Sequence, residues 1–150
     1  PMIGFGQNVN IPDANFKAYL VGNTAINTNG DAEIQVSEAT AFNGQINCSG
    51  MNIADLTGIE DFIALTYLFC YDNNLTSLDV SNNIALNYLH CNNNNLTSLD
   101  VSNNTFLSTL YCSDNELALL DLSNNSWLWF LEVLNNLLVS LDVRNGNNSN

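Results

Sequence analysis

Asn27, Asn29, Asp31, Glu33 and Glu38 lie within one twelve-residue stretch, NTNGDAEIQVSE, whose spacing could hold a cation. Counted as a calcium loop, it places side-chain oxygens at positions 1, 3, 5 and 12 (Asn27, Asn29, Asp31, Glu38), with Glu33 at position 7 and apolar Ile34 at position 8. A hard cation needs that convergence, with the last carboxylate reaching back from the following helix. Two departures weigh against it. Asn27 replaces the usual Asp and lowers the ligand charge, and Ala32 sits where a glycine normally makes the sharp turn. An Asx-rich turn bonded to its own backbone is the other reading of the same residues. Calcium is therefore an open expectation, and no cofactor is certain.

Other reactive residues fall in columns. Cys48, Cys70, Cys91 and Cys112 are 22, 21 and 21 residues apart. If each occupies one strand of a stack, the outer pair is separated by about 14 Å, three steps of about 4.8 Å. A line cannot supply tetrahedral zinc ligands, and in-register side chains would strain a disulfide, so buried free thiols are expected. Asp79, Asp100, Asp121 and Asp142 form an outward column whose mutual repulsion needs an offset. Hydroxyls at Thr76, Ser77, Ser81 and their equivalents could provide it, or a row of weak cation sites. His90 is the only histidine, and alternation along a strand turns it away from Cys91. With no nucleophile–base pair and no phosphate-cradling glycine loop, the chain does not read as an enzyme.

These columns arise from a repeat. LTYLFCYDNNLTSLDVSNNIA, LNYLHCNNNNLTSLDVSNNTF and LSTLYCSDNELALLDLSNNSW align without gaps from Leu65, Leu86 and Leu107, and a fourth copy starts at Leu128. An irregular forerunner begins at Ile46. Such periodicity marks a solenoid whose coils share one core. Each period holds two short strands with apolar residues on alternate positions. Leu68, Cys70, Leu89, Cys91, Leu110, Cys112, Leu131 and Val133 should point inward on the first side. Leu78, Val80, Leu99, Val101, Leu120, Leu122, Leu141 and Val143 should do so on the second. The 29 asparagines in 150 residues follow the same register. Asn73, Asn94, Asn115 and Asn136 fall where the chain leaves the first strand, placed to bond backbone groups that would otherwise be buried unpaired.

Residues 1–7 read as signal-peptide remnant or added residues, 8–45 as a helical N-terminal cap, and 46–150 as repeats, the last of them incomplete after Val143. In the cap, Pro12 suits a first helical turn ahead of Phe16, Leu20 and Val21, and Ser37 is an N-cap candidate for a second helix. Phe16, Leu20 and Phe42 are placed to seal the first coil. Fifteen acids against Lys17 and Arg144 give a net charge of −13, which excludes a phosphate-binding surface for nucleic acid. No apolar run is long enough to span a membrane as a helix.

The repeats resemble the nested leucine-rich-repeat class sometimes called IRREKO, which joins LxxLxLxxN to an LxxLDL-type half. More narrowly, IPDANFKAYLVGN, INTNGDAEIQVSEA, DLTGIE and LTSLDVSNN resemble secreted leucine-rich-repeat proteins of flavobacteria, over roughly residues 8–148. The resemblance implies an α/β solenoid: a right-handed leucine-rich-repeat coil with a parallel β-sheet and a small helical N-terminal cap. It also implies a secreted or cell-surface setting, in proteins that often carry a C-terminal sorting domain; the broken last repeat leads us to expect a fragment, or an end covered otherwise.

What the repeat leaves free is the outward row of the first strand: Tyr67, Tyr88, Thr109 and Phe130; Phe69, His90, Tyr111 and Glu132; Tyr71, Asn92, Ser113 and Leu134. Tyr67, Phe69, Tyr71, Tyr88, His90, Tyr111 and Phe130 should form an aromatic patch for protein binding or adhesion. The alternatives are ring stacking for stability, a carbohydrate-binding face, or a structural protein whose open ends stack head to tail.

Overall fold

A computed structural model describes residues 6–145. The first half of each coil forms a three-residue strand: β1 (Gln45–Asn47), β2 (Tyr67–Phe69), β3 (Tyr88–His90), β4 (Thr109–Tyr111) and, after β5 (Leu119–Asp121), β6 (Phe130–Glu132). These five make one parallel sheet in the order β1-β2-β3-β4-β6. The register is the repeat itself, with Leu68 opposite Leu89, Leu89 opposite Leu110 and Leu110 opposite Leu131. On the second side only β5 and β7 (Ser140–Asp142) pair as strands, and a single bridge joins Asp79 to Asp100. The molecule is the expected parallel-strand solenoid, one coil per strand of the sheet.

The core fills as alternation requires. Leu68, Leu89, Leu110, Cys48, Cys70, Cys91 and Cys112 are fully buried between the two sides. The last coil departs from expectation. Leu131 and Val133 are only partly buried, and Leu141 and Val143 remain 43% and 39% exposed, because no coil lies beyond them among the described residues.

Each strand of the five-stranded sheet is followed by a left-handed residue: Gly50, Asp72, Asn93, Asp114 and Asn135 have φ between 53° and 68°. Glycine adopts that region freely and Asn and Asp tolerate it better than other residues, which is why the column holds only these three types. Asn93 Nδ2 donates to Asp72 Oδ1 at 2.8 Å and Asn135 Nδ2 to Asp114 Oδ1 at 2.7 Å, so alternation of amide and acid turns repulsion into bonding.

At the cap, α1 (Ala14–Gly22) begins at Asp13, whose Oδ1 accepts from the N–H groups of Asn15 and Phe16. Pro12 therefore precedes the cap residue instead of occupying the first turn. Phe16 and Leu20, one turn apart, seal the first coil, and Phe42 packs edge-on against Phe62. Helix α2 (Val36–Ala41) is capped by Gln35, two residues before the expected Ser37. Glu38 decides this: its Oε2 accepts from Gln35 N–H at 3.0 Å, which makes Gln35 the cap residue. Gln7 belongs to the cap as well, since its carbonyl accepts from Val36 N–H and Val9 N–H bonds the Ile34 carbonyl. Residues 1–5 and 146–150, including the ends of the expected remnant and of the broken repeat, lie outside the described residues. Gly58 (φ 102°) leads the chain into a short 3-10 helix, Ile59–Asp61, and a Cβ there would lie 2.9 Å from the Asn10 carbonyl oxygen.

Candidate functional site

The outward face of the sheet stays in place because the turns beside it are fastened from within. Asn94 Nδ2 donates to the carbonyls of Cys70, Cys91 and Asn92, and its Oδ1 accepts from Leu75 N–H in the preceding coil. Asn73, Asn115 and Asn136 repeat the pattern, each reaching back one coil. A second buried column, Asn83, Asn104 and Asn125, does similar work behind the other side.

On this frame the seven aromatic residues read from the sequence come together. Tyr71 and His90 have ring centroids 4.4 Å apart, His90 and Tyr111 4.7 Å, Tyr111 and Phe130 4.8 Å, and Phe69 and Tyr88 4.9 Å. Tyr67 joins through Tyr88 at 6.1 Å. Most pairs are tilted by 30–37°, so the rings overlap like tiles across four strands. Tyr67 is 42% exposed and the others are half-buried by one another. Two positions expected on the open face are covered: Thr109 and Ser113 are buried, and Ser113 Oγ accepts from Leu134 N–H.

Chemistry on the face is that of ring surfaces and one acid. Burial pushes the Tyr88 phenol up to about 12, aided by its hydrogen bond to Tyr111 and the negative charge of Glu132. Burial also pulls His90 down, more than Glu132 and Asp72 raise it, so the imidazole is neutral at pH 7. Glu132 Oε1 accepts from Asn92 Nδ2 at 3.0 Å.

Sequence reasoning missed the rim. Trp129 (77% exposed) meets Phe130 edge-on, and Ile84, Phe106 and Trp127 are each more than half exposed. The signal for Ile84, Phe106 and Trp127 was the variable pair after each SNN: IA, TF, SW.

The remaining candidates are occupied by the protein's own groups. Glu38 Oε1 accepts from Thr28 N–H, Thr28 Oγ1 and Asn29 N–H. Asn27 Oδ1 accepts from Gly30 N–H, Asn29 Oδ1 from Asp31 N–H, and Asp31 Oδ1 from Glu33 N–H. Glu33 turns away to bind Lys17 at 2.8 Å. The sharp turn sits at Gly30 (φ 73°), so Ala32 need not adopt it. The four cysteines are free, and burial raises their thiols, Cys48 and Cys112 to about 12, which keeps them protonated. The Asp79 column is offset from two residues on, by the N–H groups of Ser81, Ser102, Ser123 and Arg144 and by side-chain bonds from Ser81 to Asp79 and from Ser102 to Asp100. Thr76 and Ser77 are not among its donors.

No family model matches the chain. Over 73 residues it is 39% identical to internalin J of Listeria monocytogenes serotype 4b (strain F2365), a stretch covering 48% of this chain and 8% of that protein. The solved functional domain of InlJ from Listeria monocytogenes, which includes a cysteine ladder, superposes with a TM-score of 0.82. Identity there is 38%, over 95% of this chain and 32% of that one. An internalin (inlF) from Listeria monocytogenes strain 4b F2365 superposes at 0.70 with 20% identity, over 98% of this chain and 52% of that one, a likeness of fold alone. The chain thus spans about a third of the InlJ domain it matches.

Proposed function

We propose that this leucine-rich-repeat solenoid is a non-catalytic, secreted or cell-surface module that binds a protein partner through the aromatic face of its sheet. The observation that carries the reading is the continuous contact of Tyr67, Phe69, Tyr71, Tyr88, His90, Tyr111 and Phe130 across four strands, at positions the repeat does not need for its core. Contiguous exposed rings on a rigid scaffold offer contact area at small entropic cost. Likeness to internalin J, over part of each chain, supports adhesion as the setting.

A photo-crosslinking residue at position 67, compared with one at position 103 on the turn beyond the second-side strand, tests this on intact cells. Capture of a protein from position 67 alone, lost in a Tyr88→Ala/Tyr111→Ala variant, is expected. Equal capture from both positions removes the reading. A glycan array with wild-type protein tests the carbohydrate alternative, which saturable binding to one sugar class would favour.

A second reading has its own observation. On the last described coil Leu137, Val139, Leu141 and Val143 are exposed, Val139 by 90%. A coil of the same pattern from a second copy would cover that row. Sedimentation at rising concentration reads it directly: growth in mass that Val139→Asp/Leu141→Asp abolishes supports it, and a strict monomer rejects it.

A further inference from the structure

Ring stacking accounts for the aromatics of the sheet face but not for the acid among them. Glu132 continues the column Phe69, His90, Tyr111 and pairs in register with Tyr111. Asn92 holds its Oε1, while Oε2 accepts no hydrogen bond among the described residues. Asn92 is fixed in turn, its Oδ1 accepting from Ser113 N–H at 2.7 Å. The side chain is half-buried, so this carboxylate is aimed, partly desolvated and open on one oxygen.

The chain offers no cation to meet it. Lys17 is bound to Glu33 in the cap, and Arg144 to Asp142 on the second side. His90, neutral beside it, does not repel a positive charge. Asp72 and Asp114 stand at the turn end of the same strands and add negative potential. An uncovered aromatic face is a negative π surface, on which a planar guanidinium stacks well while its N–H fork reaches a carboxylate. A compact ammonium uses only the charge.

We propose that the sheet face receives an arginine side chain of a protein partner, its guanidinium lying over Tyr88, His90 and Tyr111 and paired with Glu132. The proposal rests on the binding reading of this face and names the chemistry of the partner. It gives the acid a role that sugar recognition does not require.

The test uses N-acetyl-arginine amide as probe and N-acetyl-citrulline amide as its uncharged counterpart, at near-physiological salt. Proton NMR should show saturable shifts of the Tyr88, His90 and Tyr111 ring signals with arginine and none with citrulline. Glu132→Gln keeps the acceptor that holds Asn92 and should weaken arginine binding about tenfold. Tyr111→Leu should weaken it by a similar factor, with melting temperature as the check on folding. Equal shifts from citrulline, or arginine shifts confined to the Asp79 column, overturn the assignment. If the crosslinked partner is lost in the tyrosine variants but retained in Glu132→Gln, the face binds and the arginine inference falls. If the tyrosine variants also retain it, both fall.

Discussion

Asn94 bonds three carbonyls and the buried Leu75 N–H, and it shares the Cys70 carbonyl with Asn73 and the Cys91 carbonyl with Asn115. Asn94→Ala should therefore cost about 2–4 kcal/mol in denaturant unfolding, since the buried Leu75 N–H loses its partner and the carbonyls lose one of their donors. Asn103→Ala, which removes one exposed bond to the Ser81 carbonyl, should cost under about 1 kcal/mol. The Asn73 column was legible in the sequence because a polar residue recurred beside the core strand. The Asn83 column was not, because SNN reads as an ordinary polar turn until the coil closes over it. Glu38 shows the same tie between residue and backbone through pH. Burial raises its carboxyl, but bonds from Gln35, Thr28 and Asn29 outweigh that and leave it below its ordinary 4.5. A carboxylate lowered by folding stabilises above its unfolded value, and that stability is lost as pH falls from about 4.5 through the lower folded value. Asp13, lowered by the Phe16, Ala54 and Asn15 N–H groups against the effect of burial, adds to the loss from 3.8 downward. Melting temperature against pH should fall across that window, and Glu38→Gln should start lower at pH 7 and fall less.

The strands were readable because alternation is short-range: Leu68, Cys70 and their copies needed only a period of two. The caps were less so. Ser37 is a good N-cap in isolation, yet Glu38 reaches back to Gln35 and moves the helix start, a choice made by geometry three residues apart. The turn column makes its own prediction. Asn93, at φ 53°, should accept glycine with little loss, whereas Asn93→Val should cost about 1–2 kcal/mol because a branched Cβ crowds the left-handed region. The cap loop divides its two readings at the same scale. Its oxygens are bonded by the N–H groups of Thr28, Asn29, Gly30, Asp31, Glu33 and Gln35, which a cation would have to displace. Calorimetric titration is expected to give no saturable heat at millimolar calcium. A saturable heat abolished by Asp31→Asn would make the loop a cation site.

Across the whole molecule the coils contact mainly their neighbours, so the position of a change along the stack matters as much as its chemistry. Leu89→Ala, in the fully buried middle, should cost about 2–5 kcal/mol, and Leu131→Ala, half-buried in the last described coil, markedly less. Urea midpoints for the two variants measure the difference. The solenoid and its register followed from a 21-residue period. The rim of Trp127 and Trp129 did not, because a period specifies what repeats and says nothing about which variable side chains stand clear of the surface. The reach of each ladder asparagine into the coil before it gives the stack a direction. Asn73 closes the turn at Met51 and Ile53, Asn94 the one at Leu75, Asn115 the one at Leu96 and Asn136 the one at Leu117. Each of these turns thus takes its side-chain latch from the coil that follows it. Opening from the far end releases one latch at a time, as a zip does, while the cap end stays held, and a chain emerging N-terminus first would set each turn only when the next had been made.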